Sequence, residues 1–206
     1  MKRIVRPRAL ASALVVCLAL AVPGRAQEED TQAKIRTSID TMIQAIEEGN
    51  DPMRNRMFFE LRIIGNESVP ALVELMKDSR VKVREYAVHT VSYIDDERWI
   101  DPVVAMIRNE PEASTRAMAC RAIARTQDTP VLAEAGRKAI PVLMEALEKD
   151  DDETVRMDAA HALGWYGDPV ARPALTAAAK GPSDLVRYFA EEALENIDHA
   201  EKMRSK

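Results

Sequence analysis

The chain has 206 residues, of which 29 are Lys or Arg and 34 are Asp or Glu, for a formal charge of −5. That acidic balance excludes a general nucleic-acid binder, whose affinity rests on neutralising phosphates. The length is enough for a single domain with a substantial buried surface.

Residues 1–26 read as a secretory signal peptide. Lys2, Arg3, Arg6 and Arg8 form a basic start, Ala9 to Val22 form a charge-free apolar run of 14 residues, and Gly24-Arg25-Ala26 sets small residues at both positions a signal peptidase reads. A spanning helix needs about 20 apolar residues, so cleavage after Ala26 is expected in place of an uncleaved anchor. Cys17 lies inside the apolar run after Val16, which argues against a lipid anchor. The short basic and apolar regions look bacterial, so the expected location is exported, periplasmic or secreted, with no membrane span after cleavage. Losing five cations and no acids takes the charge from −5 to −10. Cys120 is then the one cysteine left, and an intramolecular disulfide is impossible.

Residues 27–49 follow as a helix with an apolar stripe of Ile35, Ile39, Ile43 and Ile46, expected to cap what comes next, since terminal repeats present one polar face. Over residues 50–206 one pattern recurs five times: an arginine, an apolar residue at plus three and another at plus seven. The arginines are Arg54, Arg84, Arg116, Arg156 and Arg187, with Met57, Ala87, Ala119, Ala159 and Ala190, then Leu61, Val91, Ile123, Leu163 and Leu194. Successive arginines lie 30, 32, 40 and 31 residues apart, a period that marks a solenoid whose units bury their apolar faces only by stacking.

Each unit reads as a helical hairpin. Helix A opens around Pro70, Pro102, Pro141 or Pro173, since proline in a first turn has no N–H bond to lose. Helix B carries the arginine and its apolar partners at helical spacing. Six residues before the arginines stand Glu48, Asp78, Glu110, Asp150 and Gly181, which predicts an internal ladder of turn acids and helix arginines, within or between units. Gly181 breaks that register, so Arg187 is the arginine expected to be free. Cys120 occupies a position where other units carry Phe58, Val88 and Ala160 and is expected to be a buried small apolar residue. The third unit is longer, and its connector, residues 126–139, is expected to be a tolerated insertion or an extra helical turn, with a contribution to binding as the competing reading.

These residues resemble the HEAT-like repeat family, especially its short bilin-lyase-type units. Asp151-Asp152-Glu153-Thr154-Val155-Arg156, then Ala159-Ala160, Leu163-Gly164, Gly167-Asp168 and Pro173-Ala174-Leu175 follow the family's order. The resemblance covers about residues 50–198 and implies an all-α fold, an α-solenoid (α–α superhelix) of about five HEAT-like hairpins with an N-terminal capping helix. It implies little about activity, because the family serves mainly as scaffolds and only some members are lyase subunits.

In such proteins the side of helix B away from the core lines the concave surface. At about 100° per residue, positions +2, +5 and +9 from each arginine project there. They include the aromatics Phe59, Tyr86, Tyr93, Trp165 and Phe189. Side-chain types with large contact area and a polar tip are those that protein interfaces favour. Phe59, His89, Tyr93, Arg121, Arg125, His161 and Trp165 are therefore the candidate partner-binding residues, with Arg121 and Arg125 bringing positive charge suited to an acidic partner segment. The +2 residues point sideways and are expected to pack on neighbouring B helices in part.

No chemistry stands out beside this. His89 and His161 lie two units apart, about 16 to 20 Å at ordinary helix spacing, too far to share a metal. Asp158 and His161 supply two ligands where a site needs three or four. There is no Gly-rich phosphate loop, no Gly-x-Ser-x-Gly elbow and no paired cysteine motif. The expected function is a non-catalytic scaffold, without cofactor, that holds a protein or peptide on its concave face. The alternative is a lyase-like or chaperone-type subunit for a small aromatic ligand such as a tetrapyrrole, which export disfavours because the resemblance implies a cytoplasmic or plastid activity. Self-association through open ends is a third reading.

Overall fold

The computed structural model describes residues 23–205. They form eleven α-helices and no strand: α1 (Pro23–Glu47), α2 (Asp51–Ile64), α3 (Val69–Leu75), α4 (Val81–Val91), α5 (Ile100–Asn109), α6 (Ala113–Ala124), α7 (Pro130–Gly136), α8 (Ile140–Lys149), α9 (Glu153–Tyr166), α10 (Arg172–Ala178) and α11 (Asp184–Arg204). Most of the expected signal segment, with Cys17, lies outside the described residues; its last four residues continue α1. Among the described residues no helix is long and apolar enough to cross a membrane.

The helices pair as five hairpins, α1/α2, α3/α4, α5/α6, α8/α9 and α10/α11, stacked in chain order. The expected cap is thus also the first helix of the first hairpin. Its buried stripe is Ile35, Ser38, Met42 and Ala45, with Ile39 and Ile46 packed alongside. Ile43 sits at the margin, because the spacing 35, 38, 42, 45 keeps closer to one helical face than four isoleucines at 35, 39, 43 and 46 do.

Local signals set the helix ends. Asn50 caps α2 by accepting from the Met53 N–H at 3.1 Å, Asp152 caps α9 through Thr154 and Val155, and Ser183 caps α11 through Val186. Gly167 closes α9 at φ 52, a left-handed position that costs glycine no steric penalty. The plus-three residues are all buried, as are the plus-seven residues of the first four units. Leu194 in the fifth is only partly covered, since among the described residues no further hairpin stacks on it. The second helices, α2, α4, α6, α9 and α11, pack against each other in series and more extensively than the first helices do, which makes theirs the inner, concave row.

The arginine ladder runs between units. Arg84 of the second hairpin donates from Nε and Nη2 to Glu110 of the third at 3.0 and 2.6 Å, while its Nη1 binds its own turn's carbonyls at Asp78 and Ser79. Arg116 repeats this arrangement with Asp150 at 2.7 and 2.8 Å, its Nη1 on the Glu110 and Pro111 carbonyls. The first junction differs, because Arg80 takes Asp78 with its own guanidinium and holds that carboxyl down at about 2. Arg54 pairs instead with Asp51 and lies over the Tyr86 ring, 4.3 Å from its centre. Arg187 corrects the expectation that it is free: it binds Asp184 and the Gly181 carbonyl. Glu110 and Asp150 each serve the arginine of the preceding unit, so the gap left by Gly181 falls to Arg156.

The long third-unit connector is helical but for the extended Thr129, with α7 flanked by 3-10 turns at Arg125–Asp128 and Arg137–Ala139. It is anchored by buried Leu132, by the Thr126 hydroxyl 2.6 Å from the Tyr166 hydroxyl, and by Arg137 on Asp168 at 2.9 Å. Cys120 is wholly buried, and burial pushes its thiol well above the ordinary range, so it packs as a small apolar side chain.

Candidate functional site

The concave row gathers the seven candidate residues into two aromatic clusters joined by the arginines. In the first, Phe58 links three rings: Phe59 at 5.1 Å edge-on, His89 at 5.1 Å and Tyr93 at 5.2 Å, measured between ring centres. Arg125, at the end of α6, lies over the Tyr93 ring at 4.0 Å, a cation–π contact that holds the guanidinium at the groove wall. In the second cluster Trp165 donates its indole N–H to His161 Nε2 at 3.0 Å, and Phe189 of α11 stands edge-on to His161 at 5.4 Å. Burial lowers the pKa of His161, which suits an imidazole whose Nε2 must stay unprotonated to accept this bond. His89 is lowered too, by burial and then by Arg125, Arg54 and Arg121.

Arg121, Arg125, His161 and Trp165 come together around a cavity of about 230 Å³ closed by Ala124 and Asp128. Phe59 and Trp165 are 53 % and 56 % exposed, large apolar surfaces held along the groove.

Two features alter the expected electrostatics. Arg121 is not a bare cation: it donates to Asp158 of the next unit at 2.8 Å. Asp158 is itself buried, and burial outweighs the arginine to raise its pKa to about 6. Asp158 therefore turns to Arg121, away from a shared site with His161, and among the described residues no group of three or more His, Cys, Asp or Glu is placed to hold a metal. Uncompensated positive charge at the groove comes from Arg125 and from Arg62, which lies over the same Tyr93 ring at 5.5 Å.

Plus-two residues do pack sideways, as expected, and reach back one unit: Tyr86 to Arg54, Asp158 to Arg121 and Phe189 to His161. The residues that position-counting missed are Phe58 and Tyr188. Phe58 stands at plus four, the position that Cys120 and Ala160 fill inside the core, yet its larger ring leans out to join His89 and Tyr93. Tyr188, at plus one, is 62 % exposed and stacks edge-on against Phe189. Ring size against a neighbour's small side chain was the available signal for both.

A model of HEAT repeats matches residues 39–124 and, in a second overlapping match, residues 100–195. No curated protein matches the sequence. Among solved structures, the complex of CpcE and CpcF of phycocyanin lyase from Nostoc sp. superposes with a TM-score of 0.65 at 20% identity, covering 76% of this chain and 98% of that one. An engineered protein superposes with a TM-score of 0.52 at 17% identity over 87% of this chain and 93% of its own. At these identities both describe the fold.

Proposed function

Since this chain belongs to the HEAT repeat family, we propose that it is a non-catalytic scaffold that holds a partner protein or peptide along its concave face. The observation that carries this reading is the pairing of exposed Phe59 and Trp165 along a groove floored by Tyr93, His89 and the ring-bound Arg125. Aromatic anchors that are already packed lose little side-chain freedom on binding, which is what recognition surfaces require. Arg125 selects for an acidic segment.

A lyase-like reading, with a tetrapyrrole or similar ring in the groove, draws on the phycocyanin lyase likeness. The cavity between Arg121 and Trp165, about 230 Å³, is below the roughly 300 to 1,000 Å³ usual for small-molecule sites. An open aromatic groove favours an extended segment over an enclosed ring. Export remains part of the proposal, since the basic and apolar N-terminal regions are its only support.

The test is affinity capture from the native cell envelope with residues 27–206 as bait, beside a Tyr93→Ala, Arg125→Ala, Trp165→Ala bait of equal helicity. Arg121 is spared because its loss leaves Asp158 buried and unpaired. A protein retained by the first and lost by the second supports the concave-face scaffold. Equal retention by both overturns it, and a coloured ligand co-purifying with the chain supports the lyase-like alternative.

A further inference from the structure

Where Gly181 stands in place of an acid, the ladder leaves a carboxylate position built but unfilled. At Glu110 and Asp150 the carboxylate is held by three donors: Nε and Nη2 of the preceding arginine, and the backbone N–H two residues on, Glu112 at 3.2 Å and Asp152 at 3.0 Å. In the fifth hairpin the same donors are present. Arg156 sends its Nη1 to the Asp150 and Asp151 carbonyls at 2.7 and 3.0 Å, as Arg84 and Arg116 do to theirs, so its head is held in the same way. Its Nε and Nη2 have no carboxylate, and the Ser183 N–H, two residues after Gly181, has no acceptor.

These donors open onto a cavity of about 380 Å³ between the fourth and fifth hairpins, with apolar walls from Leu147, Ala174, Ala177 and Val186. Of the other charged groups at the cavity, Glu148 and Lys149 offset each other, Asp150 is engaged by Arg116, and the Glu153 carboxylate accepts from the Ser183 hydroxyl, leaving the Ser183 N–H open to a ligand. We infer that this cavity is a receptor for a carboxylate on a short apolar stem, bound by the Nε–Nη2 edge of Arg156 and the Ser183 N–H. The protein itself shows twice which group that arginine edge takes, and bidentate geometry favours a carboxylate over a spherical anion. A chain-terminal carboxylate behind a small apolar residue and a free short-chain acid present the same chemistry. The site lies at the turns between helices, apart from the concave face, and does not depend on that reading.

The Gly181→Asp variant fills the position from within. Gly181 does not have a positive φ, and its N–H reaches the Ala178 carbonyl at 3.0 Å just as the Asp78 N–H reaches Leu75 at 3.1 Å, so an aspartate occupies the same turn shape in the second hairpin, where it accepts from the backbone N–H two residues on and from Arg80 in place of Arg54. A Cβ at Gly181 lies 3.1 Å from the Ala178 carbonyl oxygen. The experiment titrates the full chain with butanoate, with its neutral isostere butanamide, and with N-acetyl-Ala-Val bearing a free or an amidated C-terminus. The readouts are the Arg156 Nε–H and Ser183 amide NMR resonances. The expected result is a saturable shift of both with butanoate and none with butanamide. In Gly181→Asp, whose carboxylate competes for the Ser183 N–H as Asp78 does for the Arg80 N–H, the response should weaken at least tenfold. Tighter binding of the free-terminus peptide than of butanoate supports a chain-end ligand, and equal binding supports a free acid. Equal responses to butanoate and butanamide, or an unchanged midpoint in Gly181→Asp, overturn the assignment.

Discussion

Arg116 and Asp150 belong to different hairpins, yet the guanidinium meets both carboxylate oxygens, at 2.7 and 2.8 Å. Both side chains are largely shielded from water. Burial is the largest single influence on the Asp150 carboxyl and raises it, but the Arg116 hydrogen bond, the Asp152 N–H and the charges of Arg116 and Arg156 together outweigh burial, so its pKa is lowered overall. The junction between hairpins is therefore held by a charge pair as well as by apolar packing.

Breaking that pair from one side should be costly. Arg116→Met leaves a buried carboxylate and frees the Glu110 and Pro111 carbonyls, with an expected loss of about 3 to 5 kcal/mol. Adding Asp150→Asn should recover a clear part of the loss. Urea unfolding with unchanged slope measures both.

Two glycines mark the closest approaches, and they should differ in kind. A Cβ at Gly164 meets Ala193 Cα and Cβ at 2.9 Å, backbone that cannot yield without separating α9 from α11. A Cβ at Gly136 meets the Tyr166 hydroxyl at 2.2 Å and Thr126 Oγ1 at 2.5 Å. Both Ala substitutions should cost about 1 to 3 kcal/mol. Tyr166→Phe should relieve part of the Gly136→Ala cost and none of that of Gly164→Ala, as read by thermal unfolding of the three single and two double variants.

Asp158 gives stability an unusual pH dependence. Its folded pKa, about 6, stands above the 3.8 of an ordinary aspartate because it is buried. Between those values the folded chain binds the extra proton, so this group's contribution grows as pH falls from 6 towards 4. Relative to Asp158→Asn, the wild type should gain melting temperature across that window. A difference that is flat from pH 7 to 4 contradicts the assignment.

Cys120 should be inert in the folded state. In a chain carrying Cys17→Ser, an aromatic disulfide reagent should react only through unfolding, its rate rising with urea in step with loss of helicity. Rapid native labelling contradicts the buried placement.

The hairpins were legible because a stacked repeat writes its core into fixed offsets: the alanines at plus three and the branched residues at plus seven are buried wherever a neighbour follows. The ladder's acids were legible for the same reason, but not the unit they serve. A register along one chain does not say whether Glu110 turns to Arg116 or back to Arg84, and that choice depends on the distance between stacked turns. The concave residues were found by angle alone, which cannot foresee that Asp158 neutralises Arg121 or that Tyr93 captures Arg125. For the third-unit connector the sequence left a tolerated insertion and an extra helical turn side by side, because the seven residues of α7 carry one deeply buried apolar anchor, Leu132, and no recurring pattern.

The two tryptophans occupy opposite environments: Trp99 is sealed in the core with its N–H on the Ile94 carbonyl, and Trp165 stands at the groove mouth beside His161. The chain thereby carries two native fluorophores with separate assignments. A blue emission from Trp99 reports whether the solenoid is intact, while the red, quencher-accessible emission of Trp165 reports what has arrived in the groove, so occupancy and unfolding can be told apart in one unlabelled sample.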